Sequence, residues 1–328
     1  MPKCNKLLLI RHGIRGVPLG NDCPLLASAQ NITNEGHRQT YYLGKYIKRK
    51  YGKPSLIYPD IASDRTIDSA IDIAKSCKVA RIFLPIPSKA PLYHETESIK
   101  AKRLIGEHRY DEFFDTSLLV PKDFISKSQE KLLFYHSIIN NLTQKTKTLF
   151  PNITIPDSTT IDEQGKTVGS IEKLKRLYTI AVFTKLSHRK HPLLKLLPLL
   201  APIRNISYTL NNPTYQSIKP IGDYFLPGLI HFLKTEPLSI IVGHDNNVSL
   251  LSYYLHKKFS APEYGLNYIP PDSGFILTLD ESHAHIIIEI IYQKLSNRKF
   301  KIIPYLTIGM PPDLVAPPFN LIPHEIVV

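Results

Sequence analysis

The first legible element is the run from Lys6 to Ile10, in which every residue after the lysine is apolar. An apolar block this short and unbroken predicts a strand buried on both faces of a sheet. It stops at Arg11-His12-Gly13. After a loop rich in Gly, Pro and Asn, Thr33 stands at a capping position, and Tyr42, Leu43, Tyr46 and Ile47 recur at helical spacing, predicting a helix that ends near Gly52. A second strand is expected from Leu56 to Ala62, running into Ser63-Asp64-Arg65. Thr66 then opens a helix with Ile67, Ala70, Ile71 and Ala74 on one face. Strand, loop and helix, twice over, predict an α/β sheet.

From about residue 86 to 216 the pattern changes. Helical stretches such as Ser170 to Leu186 are separated by polar or Pro-containing loops, the mark of an inserted, mainly helical cap. The sheet pattern resumes with a helix near 217–234, a strand from Leu238 to Val242, and the loop Gly243-His244-Asp245-Asn246-Asn247. Val248, Leu251, Tyr254 and Leu255 form the stripe of the next helix. Phe275 to Leu279 and Ile286 to Tyr292 flank a polar turn and predict an antiparallel hairpin. The Pro-rich stretch 311–328 is expected as an extended tail on the surface. The predicted organisation is a discontinuous α/β core, 1–85 and 217–328, with a mostly parallel sheet, and a helical cap over 86–216.

Composition narrows the classes of partner. With 328 residues, 43% hydrophobic and 21% charged, the chain can bury a large core, and wholesale disorder is excluded. Lys and Arg number 41 against 28 Asp and Glu, a net charge of +13 that favours anionic partners. No zinc-finger spacing or RNP-type motif accompanies that charge, so nucleic acid is not the expected partner. Cys4, Cys23 and Cys77 show no paired spacing, which points to a reducing compartment. The run Leu7 to Ile10 is too short for a signal peptide, and the Leu-rich 192–202 region is too short to span a membrane and is broken by Lys195. The expectation is a cytoplasmic protein without a transmembrane segment; export without a classical signal leaves no trace in the sequence. Oligomeric state is not legible.

Three loops each follow an apolar strand: Arg11-His12-Gly13-Ile14-Arg15, Ser63-Asp64-Arg65-Thr66 and Gly243-His244-Asp245. The carboxyl ends of parallel strands share one edge of a sheet, so these loops can converge. Together they bring planar guanidinium forks suited to the oxygens of a phosphate monoester, namely Arg11, Arg15 and Arg65. Such fixed charge stabilises a phosphoryl transition state without a metal, so no cofactor is expected. A neutral imidazole can attack phosphorus, and guanidinium groups beside His12 favour its neutral form. Asp245 is placed to protonate the leaving oxygen, and His244 to hydrogen-bond the phosphate. A donor that must be protonated predicts a rate optimum at about pH 4–6.

Arg11-His12-Gly13-Ile14-Arg15 resembles the R-H-G-x-R signature of the histidine acid phosphatases, and Gly243-His244-Asp245-Asn246-Asn247 resembles their distal H-D motif. Asp64-Arg65-Thr66, followed by Ser69-Ala70, is similar to the family's D-R-T-x-x-S-A stretch. The resemblance covers about 5–80 and 217–300. It implies a three-layer, phosphoglycerate-mutase-like core, a helical cap that sets substrate range, and a covalent phosphohistidine at His12. It also implies a phosphate pocket of Arg11, Arg15, Arg65 and His244, with Asp245 as acid. Substrates implied are phytate, glucose 1-phosphate and other small phosphate monoesters. The chain departs from the pattern at Val17, where the family usually has proline, and at Asn246, where threonine is commoner.

Other readings stand beside this one. A mutase-like member of the superfamily would carry Glu, or Ser and Thr, after Arg-His-Gly, and a distal Gly-His-Gly, so Ile14-Arg15 and His244-Asp245 argue against it. A non-catalytic binder of phosphorylated ligands or acidic membranes would not need both His12 and Asp245. His283-x-His285 has metal-ligand spacing but lies in a predicted turn without a Cys or carboxylate set, so a solvated turn is expected. The basic cluster His188-Arg189-Lys190-His191, with Lys173, Lys175, Arg176 and Lys185, reads as a solvated helix face more readily than as a grip on a polyphosphorylated substrate. Cys77 is expected as inert packing.

Overall fold

The computed structural model describes residues 5–17, 31–59, 64–85, 124–162, 167–211, 219–310 and 321–326. Cys4, Cys23, Pro18, Ser63 and most of the expected loop before Thr33 lie outside them. Strand β1 (Lys6–Arg11) is central because it is apolar on both faces. Leu7 and Leu9 enter one hydrophobic cluster and Leu8 and Ile10 another, each at most 1% exposed. Burying one such side chain contributes about 1.5–3 kcal/mol. Helix α1 (Asn34–Tyr51) is capped by Thr33, whose side chain accepts the Gly36 N–H, and it ends at Gly52, where φ is 98°. Its buried face is Gly36, Gln39, Thr40, Leu43, Gly44 and Ile47, whereas Tyr42 is 56% exposed. The expected stripe is thus corrected at Tyr42, while Tyr46 packs against the core; small residues, Gly36 and Gly44, let neighbouring backbone approach on the buried face.

Strand β2 (Leu56–Pro59) is shorter than expected, residues 60–63 lying outside the described set. Helix α2 (Asp64–Cys77) opens at Asp64 rather than Thr66, with the aspartate at the positive end of the helix dipole. Cys77 is buried and its thiol bonds the Gly44 carbonyl. Strand β3 (Arg81–Pro85) follows. Helix α3 (Phe124–Leu149), the small hairpin β4 (Thr159–Ile161) and β5 (Thr167–Gly169), and helix α4 (Ser170–Leu186) come next; α4 has the bounds read from the sequence. A 3-10 turn (Pro192–Lys195) leads to α5 (Leu196–Leu200) and α6 (Ile203–Asn211). These helices share a hydrophobic cluster around Leu177, Phe183, Leu196 and Ile206, closed by Ile14, Val17 and Tyr268 from the loops beside the sheet.

Helix α7 (Lys219–Thr235) precedes β6 (Leu238–Gly243), α8 (Asp245–Tyr254), β7 (Gly274–Leu279), β8 (His285–Gln293), β9 (Phe300–Gly309) and β10 (Leu321–Glu325). The main sheet has six strands in the order β2-β6-β1-β7-β8-β9. Leu43 and Ile47 of α1 and Ala70, Ile73 and Ala74 of α2 pack on one face; Leu229 and Leu233 of α7 and Val248 and Leu251 of α8 pack on the other. β6 runs parallel to β1 and β2, while β1 with β7, β7 with β8 and β8 with β9 are antiparallel. The sheet is therefore mixed, not mostly parallel. Strands joined by tight turns must reverse direction, and β7, β8 and β9 are joined that way; only crossover-connected β1, β2 and β6 can run together. The Pro-rich end is also corrected in part: Leu321–Glu325 pairs antiparallel with β3, and 311–320 lie outside the described residues. Among the described residues no helix is long and apolar enough to cross a membrane.

Candidate active site

The register of the parallel strands brings the loops together. Arg11 ends β1 opposite Gly243 at the end of β6, and the His12 N–H bonds the Gly243 carbonyl at 2.9 Å. On the other side of β6, Pro59 of β2 lies opposite Val242, so α2 starts at the same edge. His12 and His244 face each other with ring centroids 5.2 Å apart. Arg65 Nη2 reaches His244 Nδ1 at 3.3 Å. Asp245 Oδ2 lies 3.7 Å from Arg11 Nη2. Arg15, bonded to the Gly16 carbonyl at 2.8 Å, acts electrostatically on His12, His244, Arg11 and Arg65. Each of the six residues singled out in the sequence (Arg11, His12, Arg15, Arg65, His244 and Asp245) belongs to this one cluster.

Hydrogen-bond chemistry fixes both imidazole tautomers. His12 Nδ1 is 2.7 Å from the Gly13 carbonyl, which can only accept, so Nδ1 carries the proton and Nε2 keeps its lone pair. His244 Nδ1 faces a guanidinium, which can only donate, so its proton sits on Nε2. Both rings are buried, at 1% and 3% exposure. Burial, then the positive neighbours His244, Arg11, Arg65 and Arg15, hold His12 well below the usual histidine range. Burial, Arg65, Arg11 and Arg15 bring His244 down to about 3, against an opposing pull from Asp245. Arg15 is lowered to about 10 by burial and by Arg11 and Arg65. Neutral imidazoles flanked by cations follow.

Residues outside the three loops complete the cluster. Arg204 of α6 donates to Asp245 Oδ2 at 2.6 Å. Burial pushes the Asp245 carboxyl up, but Arg11, Arg204, His12 and His244 together hold it well below the carboxylate range. Lys175 of α4, paired with Glu172 at 2.6 Å, feels both Arg204 and Asp245 and is lowered chiefly by burial. Tyr268 lies between two guanidiniums, 5.9 Å from Arg11 and 5.6 Å from Arg204, and Phe183 covers Arg11 at 5.6 Å. Arg11 also donates to the Ile269 carbonyl. No motif marks Arg204. Its only trace is a polar position beside the buried stripe Ile203, Ile206 and Leu210.

The remaining candidates resolve simply. Asp280 accepts from His285 at 3.1 Å beside the turn residue His283, whose φ is 58°, so the His283-x-His285 pair is a turn contact. Among the described residues no three His, Cys, Asp or Glu side chains gather as a metal site. The basic cluster divides: Lys175 turns inward, and His191 caps the 3-10 turn through the Leu193 N–H.

No family description and no curated protein matches the sequence. Solved structures do match. A phytase of Klebsiella sp ASR1 superposes with a TM-score of 0.66 over 92% of this chain and 88% of its own, at 15% identity. The phytase of Citrobacter braakii gives 0.61 at 13% identity, over 89% of this chain and 86% of its own. A Hafnia alvei phytase, determined with tartrate and with myo-inositol hexakis sulphate, gives 0.54 at 15% identity over 89% and 85%. Behind the converging loops of this chain stands the fold of these bacterial phytases.

Proposed function

We propose that the chain is a histidine acid phosphatase that hydrolyses phosphate monoesters through a phosphohistidine at His12. The observation that carries this is the tautomer of His12: its Nδ1 proton is spent on Gly13, and its bare Nε2 lies in a cluster with His244 and three arginines. Arg11, Arg15 and Arg65, with the Nε2 proton of His244, bind the phosphoryl oxygens and offset the charge that spreads over them in the transition state. His12 Nε2 forms the bond to phosphorus as the ester P–O bond breaks, and Asp245 supplies the proton to the leaving oxygen. Water then attacks the phosphohistidine, returns a proton to Asp245, and frees His12. The arginine charge takes the place a metal would fill, which makes the reaction metal-independent.

Asp245 is ionised in the free protein, so it must take up a proton as substrate binds. A phosphate dianion draws Arg11 away from it and adds negative charge nearby, both of which raise its affinity for a proton. The helices between Phe124 and Asn211 act as the cap over this edge, a role supported by their packing on Ile14, Val17 and Tyr268. The net charge of +13 favours substrates with several phosphates. The inositol hexakis sulphate bound by the Hafnia alvei phytase has that chemistry, and phytate or sugar phosphates are the substrate class proposed.

The test is release of p-nitrophenol from p-nitrophenyl phosphate, with and without EDTA, in wild type and His12→Ala. Activity that survives EDTA and vanishes with His12 is expected, together with labelled phosphate on the protein after an alkaline quench. Equal rates in the two proteins remove the proposal; loss of activity in EDTA removes its metal-free form.

A further inference from the structure

Beneath the His12 loop lies a carboxyl that the proposed reaction does not use. Asp272 is 0% exposed and adopts φ 55°, a left-handed conformation that aspartate and asparagine tolerate better than other side chains. Its N–H is shared between the carbonyls of Arg11 at 3.2 Å and His12 at 3.4 Å, while the Arg11 N–H bonds the Ser273 carbonyl at 2.9 Å. Thr40 of α1 donates to Asp272 Oδ1 at 2.7 Å, and Oδ2 is buried with no hydrogen-bond partner among the described residues. The same Thr40 hydroxyl fills the space beside Gly13, where any Cβ would collide with it. Gly13 is held from α2 by Ser69, which accepts its N–H at 3.0 Å. Asp272, Thr40, Gly13 and the Nδ1 proton of His12 therefore form one contiguous chain.

We propose that Asp272 is a positioning residue: as a neutral carboxylic acid it leaves Thr40 seated against Gly13 and so braces the Arg11-His12-Gly13 backbone, and its ionisation, which tightens the Thr40 hydrogen bond, draws Thr40 off Gly13 and releases the tautomer of His12. This rests on the function proposed above. A carboxylate here would leave a buried charged oxygen without a hydrogen-bond partner among the described residues, whereas the acid leaves an uncharged group there. Burial pushes the carboxyl up to about 7; the Thr40 hydrogen bond opposes, Asp72 of α2 adds to the rise, and Arg11 of β1 opposes. Asp72 is itself paired with His37 of α1 at 2.7 Å, and that hydrogen bond raises the His37 imidazole above its usual range.

Asp272→Asn keeps the shape and the backbone conformation and cannot ionise. With p-nitrophenyl phosphate, whose leaving group needs little help from Asp245, the ratio of kcat in Asp272→Asn to kcat in wild type should rise about tenfold between pH 6 and pH 8, with KM nearly unchanged. In spectra of 15N-histidine-labelled protein, the Nδ1-protonated signal of His12 should fade above pH 8 in wild type and persist in the variant. Thr40→Val, which removes a bond that favours the carboxylate, should move the wild-type transition to higher pH. A flat kcat ratio, or a His12 signal that is unaltered across this range in wild type, overturns the proposal; a transition that survives in Asp272→Asn overturns it too and assigns the transition to His37. Should neither protein release p-nitrophenol, the function proposed above fails while the histidine spectra still decide the brace.

Discussion

Charge at single residues governs how this site would respond to pH. Arg204 holds the Asp245 carboxylate at 2.6 Å, so Arg204→Ala removes a cation that disfavours protonation. The alkaline limb of kcat for an alkyl phosphate, whose departure needs an acid, should move up by about one pH unit. Asp245→Asn should lower kcat for that substrate by about 10²–10⁴ and much less for p-nitrophenyl phosphate, and a pair of pH profiles checks both. Asp272 makes a separate statement about stability. Its carboxyl is raised to about 7 in the folded chain and is ordinary when unfolded, so its contribution is intact below about pH 4 and is lost as pH rises through 7. Thermal melts of Asp272→Asn and wild type should therefore diverge between pH 4 and 7 in favour of the variant, by on the order of 4 kcal/mol, and run level above that.

At the scale of elements, α1 and α2 meet in a close joint. A Cβ on Gly44 would strike Ser76 Oγ and lie 3.0 Å from the Ile73 backbone, whereas one on Gly309 would meet nothing within 4 Å. Gly44→Ala should cost about 1–3 kcal/mol and Gly309→Ala within about 0.5 kcal/mol of nothing, as urea midpoints would show. This joint also explains what the sequence could and could not reveal. Apolar periodicity located α4 to the residue and Thr33 as a cap, because burial and capping leave one-dimensional patterns. It misjudged Tyr42 because the buried face of α1 is made by glycines and Thr40, residues without a hydrophobic signature. β9 was not read because its exposed and buried positions follow no strict alternation. The three loops were legible since each sits at a strand end with several charged residues in a row. Arg204 and Asp272 were not, since each enters the cluster through tertiary contacts with residues tens to hundreds of positions away.

For the molecule as a whole, a net charge of +13 sets up a field that draws anionic substrates toward it. kcat/KM for a multiply charged phosphate ester should fall several-fold, about three to tenfold, between 20 and 300 mM salt, with kcat nearly constant. The same comparison with a singly phosphorylated ester should give a shallower slope. The strand order carries a different consequence. β6 is threaded between β1 and β2, so the two earliest strands of the sheet have no direct pairing with each other. A growing polypeptide thus leaves the ribosome with Leu7 to Ile10 and Leu56 to Tyr58 uncovered until the segment Leu238–Gly243 has been synthesised, more than 150 residues after β2. Long-range pairing of this kind is slow and exposes sticky surface meanwhile, so recovery of the protein should depend on chaperones during synthesis far more than its finished stability suggests.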